Sequence, residues 1–319
     1  MKILPFLLLL FLACTQADSP PPAEKVLLVS PNASPEAEAV YAFLHEQYGK
    51  KMLSGVMTLN SFDEVVRVKA ISGKEPAVVG MDFMHHNRGY TAWFKEEQIV
   101  LDAQAHWRKN GLPALMWHWR DPSRKTEAFY TKDTDFDLSK IQNPNSEEYQ
   151  ALVADIDYIA VYLKLLQSAG VPVLWRPLHE ASGGWFWWGA KGPENYKRLY
   201  RLLFDRLVHH HKINNLIWIW TAEKSDVLWF PGKEVVDLVG VDLYGAPTTY
   251  PQVYKQVQSL YPDKLIALSE CGSLPDLSTD GVLWSWFMVW YGDFVQQNSA
   301  HWKTLLNHPS VITLDQMPK

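Results

Sequence analysis

Cysteine is almost absent, with Cys14 and Cys271 the only two in 319 residues. A small fold stapled by disulfides, or one built on a thiolate metal cluster, is thereby excluded. Charge of one sign is also missing: 30 Lys and Arg stand against 35 Asp and Glu, a net −5, without a long run of either. That removes the basis for gripping nucleic acid through its phosphates, and no nucleic-acid partner is expected. Nor is there a run long enough to span a bilayer. The apolar stretch from Ile3 to Ala13, after Lys2, has the length of a secretory signal core, well short of the ~20 residues a membrane helix needs. The G-x-S-x-G elbow, the GxGxxG loop and the P-loop are all lacking, which leaves serine-hydrolase, dinucleotide and nucleotide readings without support. His179-Glu180 opens like a zinc-protease HExxH, but Gly183 stands where the second ligand belongs. His85-His86 and His209-His210-His211 have no Cys or carboxylate set at ligand spacing in the sequence, so neither metal nor other cofactor is expected.

What is abundant is flat and amphipathic: 15 Trp and 14 Tyr, more than core filling requires. Indole and phenol rings pair an apolar face with a polar handle, and sugar rings fit such surfaces. The N-terminal run ends Leu12-Ala13-Cys14, which resembles the lipobox of bacterial lipoproteins, with Phe11 departing from the usual Leu. That resemblance implies a signal peptide over residues 1–13 and acylation of Cys14; the alternative is an ordinary secretory signal with Cys14 discarded. Residues 14–25, with Pro20 to Pro22, are expected to form an extended tether. The expected location is outside the cytoplasm, lipid-anchored at the bacterial cell envelope (periplasm or cell surface) or else secreted. The membrane would be met only through that anchor, and Cys271 alone cannot form an intrachain disulfide.

From residue 26 to 319 short apolar runs alternate with helical patterns. The strand candidates are 52–56, 77–82, 114–118, 171–175, 216–220, 238–243, 265–269 and 286–290. Apolar residues at Leu152, Ile156, Ile159, Leu163 and Leu166 trace one helical face, and Tyr196, Leu199, Leu203 and Leu207 a second, opened by Pro193 and Glu194. Strand and helix repeated eight times predict an α/β fold, a single (β/α)8 TIM barrel.

In such a barrel the chemistry sits where strands end. Asp82, His118, His179-Glu180, Asp242 with Tyr244, and Glu270 occupy those ends. Alternation places Arg176, Leu178 and Glu180 on one face of the fourth strand, and Ile266, Leu268 and Glu270 on one face of the seventh, so both carboxyls are expected to point over the mouth. Two facing carboxyls over a sugar-sized cleft are the equipment of glycoside hydrolysis; the alternative is an ion pair between Arg176 and one of the glutamates. For Asp82, a sugar contact and a satisfied strand end remain equal alternatives.

The stretch Trp175-Arg176-Pro177-Leu178-His179-Glu180, with Gly183 and Trp185-Phe186-Trp187-Trp188-Gly189 after it, resembles glycoside hydrolase family 26, the barrel family of bacterial endo-β-1,4-mannanases. The resemblance continues through Asn215 to Trp218, Val239 to Gly245 and Ala267 to Gly272. It implies Glu180 as acid/base, Glu270 as nucleophile and a retaining mechanism. It further implies Tyr244 as the nucleophile's hydrogen-bond partner, His118 lining the subsite of the sugar being cleaved, Trp185 stacking on the leaving-group side and Trp290 as the floor; His179, just before the acid/base, is expected to hydrogen-bond Glu180 or the sugar, the alternative being a packing histidine behind the site. One or two of the remaining tryptophans of the 185–188 loop are expected to pack. Ala181-Ser182 departs from the family's bulkier residue and Asn, and short loops at the seventh and eighth strands favour internal attack. The expected partner is a β-mannan, glucomannan or galactomannan, met as a monomer. β-Glucan, xylan, exo attack and a non-catalytic glycan-binding barrel are the alternatives.

Overall fold

The computed structural model describes residues 27–85, 97–223, 226–278 and 282–319. His86, the signal segment, Cys14 and the whole of the tether lie outside them. Eight parallel strands close a barrel: β1 (Gly55–Met57), β2 (Val78–Asp82), β3 (Leu112–Trp117), β4 (Val173–Pro177), β5 (Leu216–Ala222), β6 (Leu238–Leu243), β7 (Leu265–Cys271) and β8 (Phe287–Val289), with β8 pairing back onto β1. Both faces of these strands are buried, which is why they read as continuous apolar runs rather than alternating ones. Inside, Leu174, Ile217, Ile219, Leu238, Leu265, Ala267 and Met288 pack together, and helix α1 (Pro35–Gln47) adds Ala37, Val40, Tyr41 and Leu44 to that cluster. Outside, Trp175, Trp218, Ile266 and Leu268 share one core with the helices α2 (Asp63–Ser72), α3 (Gln98–Trp107), α4 (Glu147–Ser168), α5 (Pro193–Phe204) and α6 (Tyr250–Leu260).

The helices start where local chemistry says they should. Ser146 caps α4 by accepting from Tyr149 N at 3.1 Å, with Glu147 and Glu148 at the positive end of the dipole. Leu152, Ile156, Ile159, Leu163 and Leu166 are buried as the spacing predicts. Pro193 opens α5, whose last turn widens into a π-helix over Asp205–His210.

Three expectations are corrected. The first strand candidate divides: Met52–Leu53 pairs outside the barrel with Val311–Ile312, and the barrel strand begins at Gly55. The crossovers from β5 to β6 and from β7 to β8 contain no α-helix among the described residues; the former holds a short 3-10 turn at Val227–Trp229. Both carboxyls reach the mouth, but not by simple alternation along their strands. On β7 the inward side chains are Leu265, Ala267 and Ser269, while Ile266 and Leu268 face the helices. Glu270 turns inward because the register slips between β6 and β7 and again between β7 and β8.

Candidate active site

At the mouth of the barrel the sequence after β4 leaves the strand abruptly. Leu178 (φ 52°) and Glu180 (φ 54°) both take left-handed backbone, a conformation that costs a side-chain-bearing residue about 1–3 kcal/mol and persists where its surroundings enforce it. The enforcement is visible. Trp188 donates its indole N–H to His179 O at 2.8 Å, and a Cβ on Gly189 would lie 2.0 Å from Ala181 O, so only glycine lets the loop close on itself there. The β3 loop zips onto the same segment, Thr131 N to Trp185 O at 2.7 Å and Trp187 N to Phe129 O at 3.1 Å. Trp187 and Trp188 are fully buried packing residues, whereas Trp185 is 43% exposed and donates to Glu180 Oε2 at 3.0 Å.

Opposite stands Glu270, buried at the end of β7. Arg176 from β4 ion-pairs with it and, through the other guanidinium nitrogen, with Asp242 of β6 at 2.7 Å. Tyr244 donates to Glu270 Oε2 at 2.7 Å. The ion pair weighed as an alternative therefore exists, but it leaves Glu180 out. Glu180, Asp242 and Glu270 each present an oxygen within 4.8 Å of the others.

Burial, followed by the charges of Asp242 and Glu270, pushes the Glu180 carboxyl up to about 9, against the lowering pull of Arg176 and of the Trp185 hydrogen bond. Burial also raises Glu270, to about 7, with Asp242 adding to it, while Arg176 and the Tyr244 hydroxyl hold it down. The order follows from contacts: Glu270 has the cation and the phenol, Glu180 faces two anions. In the neutral to mildly alkaline range Glu180 keeps its proton while Glu270 gives its own up.

A second polar chain runs along the cleft wall. Asp82, at the end of β2, accepts the His118 backbone N–H at 3.0 Å and is hydrogen-bonded to His118 Nδ1. Burial alone would raise the Asp82 carboxyl, yet His118 holds it below its ordinary value. Both Asp82 oxygens are thus turned to His118, so Asp82 reaches the cleft only through that imidazole. His118 Nε2 lies 3.2 Å from His179 Nε2, and burial, aided by Arg176 and His118, keeps His179 neutral. Trp290 packs 6.3 Å from the His118 ring. The structure accordingly gathers Glu180, Glu270, His118, His179, Trp185, Tyr244 and Trp290 at one cleft.

Arg176, in the sequence only a rival explanation for the glutamates, and Asp242, there without a role, both belong to the site. The signal was present, since an arginine inside an apolar strand needs an inward anion and Asp242 ends a strand. The histidine run likewise gains a neighbour that spacing could not show: Asp157 of α4 sits beside His210 and His211. Both Asp157 oxygens accept from Arg206 at 2.7 Å, so a cation already holds that carboxylate.

Residues 29–316 match the model of glycosyl hydrolase family 26. The chain belongs to that family. It is 41% identical over 313 residues to a mannan endo-1,4-beta-mannosidase of Thermothelomyces thermophilus, covering 91% of this chain and 63% of that longer protein. It is 31% identical to a mannan endo-1,4-beta-mannosidase of Bacillus subtilis, over 83% of this chain and 79% of the relative. Among solved structures, the beta-mannanase from a symbiotic protist of the termite Reticulitermes speratus, complexed with gluco-manno-oligosaccharide, superposes with a TM-score of 0.87 at 38% identity. That match covers 92% of this chain and 97% of the other. The family 26 barrel is thus shared nearly end to end.

Proposed function

We propose that this family 26 chain is a retaining endo-β-1,4-mannanase acting on mannan, glucomannan or galactomannan. The observation that carries the reading is the placement of Glu180 and Glu270, whose carboxylate oxygens approach within 4.8 Å. A retaining pair stands ~5–5.5 Å apart, whereas an inverting pair leaves ~6.5–9.5 Å for a water. Ionised Glu270 attacks the anomeric carbon while Glu180 delivers its proton to the leaving oxygen. Once the glycosyl–enzyme forms, the Glu270 charge is consumed, repulsion on Glu180 falls, and Glu180 accepts the proton of the incoming water. Trp185, held by the β3 loop beside Glu180, offers its face to the leaving sugar, and Trp290 with His118 floors the site of the sugar being cleaved. The named activities of the family 26 relatives support mannan as the polymer.

The test is a time course on glucomannan, galactomannan, β-glucan and xylan, following reducing ends and product lengths. Mixed oligosaccharides released early from the mannans alone are the expected result. Disaccharide as the sole early product would replace endo by exo action, and binding without release from any polymer would leave a glycan-binding barrel.

We further infer that the chain works outside the cytoplasm as a monomer, tethered through acylated Cys14. Full-length protein expressed in a bacterium should partition into detergent, and Cys14→Ser should move it to the aqueous phase. Equal partitioning of the two would leave secretion without an anchor.

A further inference from the structure

Tyr244 poses a question of restraint. It lies beyond the end of β6 and is 46% exposed, yet its hydroxyl sits 2.7 Å from Glu270 Oε2. A half-exposed side chain ordinarily samples several rotamers, so something must hold this one. The ring is walled on two sides. Gly272, just past β7, lies so close that a Cβ there would come 3.1 Å from Tyr244 Cδ1 and 3.0 Å from Phe294 Cε1. Phe294, on the short helix α7 (Asp293–Gln297), packs edge-on to the Tyr244 ring with centroids 5.3 Å apart.

The wall is itself pinned. Asn298 is buried, and its amide joins two stretches of chain: Nδ2 donates to Phe294 O at 2.7 Å and to Gly272 O at 2.9 Å, while Oδ1 accepts from Leu274 N at 2.8 Å. At the foot of Tyr244, Leu243 O accepts from Gly272 N at 3.0 Å and from the Tyr250 hydroxyl at 3.0 Å. The segment that follows the last barrel strand is thereby locked to the loop that follows the nucleophile strand, with the Tyr244 ring between them.

We propose that Phe294 and Asn298 are positioning residues, holding the Tyr244 phenol on Glu270 and so keeping that carboxylate ionised and aimed. The proposal rests on the reading of Glu270 as the nucleophile. The charged and titratable groups around Glu270 are Arg176 from β4, Glu180 from the loop after it, Asp242 and Tyr244 from the end of β6, His118 after β3, and the adjacent Cys271. Of these, Tyr244 is the one that donates a hydrogen bond to Glu270 without an ion pair to fix it. Loosening its ring withdraws a hydrogen bond that favours the charged form of Glu270, so Glu270 ionises at higher pH and the acid limb of activity moves upward.

Phe294→Ala is the direct test, assayed on mannooligosaccharides as kcat, KM and the pH profile of kcat/KM. The expected result is a kcat reduced roughly 10-fold, KM within about twofold, and an acid limb raised by about half a unit or more. Phe294→Tyr, which rebuilds the wall, should return all three to wild-type values. In a Tyr244→Phe background, Phe294→Ala should add almost nothing, because the phenol it positions is gone. If Phe294→Ala does not fold, Phe294→Leu carries the same comparison. An unmoved acid limb in folded enzyme, or an equal loss in the Tyr244→Phe background, overturns the positioning role. Glu270→Gln is run alongside: activity retained there defeats the nucleophile reading itself, whereas an inactive Glu270→Gln with an unmoved Phe294→Ala limb defeats only this inference.

Discussion

Glu270→Ala is expected to reduce mannan hydrolysis by a factor on the order of 10⁴–10⁶ while leaving polymer binding nearly intact, because a covalent mechanism without its nucleophile retains only the contribution of binding. The structure explains why the fold should survive. Deleting a member of a buried ion pair normally strands its partner, but Arg176 keeps its 2.7 Å contact with Asp242, so the guanidinium is never without an anion. Trp185 and Trp290 do not depend on Glu270 for their placement: the first is held by the β3 loop and the second packs near His118. Reducing-end release together with mannan affinity electrophoresis checks both halves. Loss of binding alongside activity would mean that the barrel mouth had collapsed, and substantial residual hydrolysis would remove Glu270 from the nucleophile's role.

The second large effect is expected at Glu180, where the outcome depends on the leaving group. Glu180→Ala should lower the rate on mannan by about 10²–10⁴-fold, the usual worth of a positioned proton donor, yet spare aryl mannobiosides whose leaving phenolate needs little protonation. The pH profile supplies an independent sign. In the wild type, activity is expected to fall as pH drops through the Glu270 ionisation, because the proposed nucleophile gains a proton, and to fall again as pH rises through that of Glu180, because the proposed acid loses its own. Burial and the two facing anions push the latter up to about 9, so Glu180→Ala should abolish the alkaline limb and keep the acid one. Equal losses on natural and activated substrates, or an alkaline limb that persists, would assign the proton to another group.

Much of this site was legible before any geometry was available. Glu180 and Glu270 stood out because a glutamate directly after an apolar strand requires a reason, and His118, His179 and Tyr244 occupied corresponding strand ends. Strand alternation, however, does not produce the facing carboxyls. Alternation along β7 would turn Glu270 toward the helices with Ile266 and Leu268; two register slips reverse it. Alternation along β4 likewise stops at Pro177, after which Leu178 and Glu180 take left-handed backbone. Bulges and left-handed residues carry no reliable local signature when the residues that adopt them are leucine and glutamate, since the surrounding packing is what enforces them.

By itself, then, the sequence determined the barrel, through eight short apolar runs of buried-strand length and the amphipathic faces of helices such as α4 and α5, and it determined the chemical types at the mouth. Those properties are encoded locally, in residue type and period. The tertiary structure decided which oxygen faces which: that Arg176 ion-pairs with Glu270 and Asp242 but not with Glu180, that Asp82 is turned to His118, and that Phe294 and Asn298 stand behind Tyr244. Ionisation in a buried cleft depends on separations of a few ångströms between residues distant in the chain, such as Arg176 and Glu270, 94 positions apart. Only closure of the barrel sets those distances.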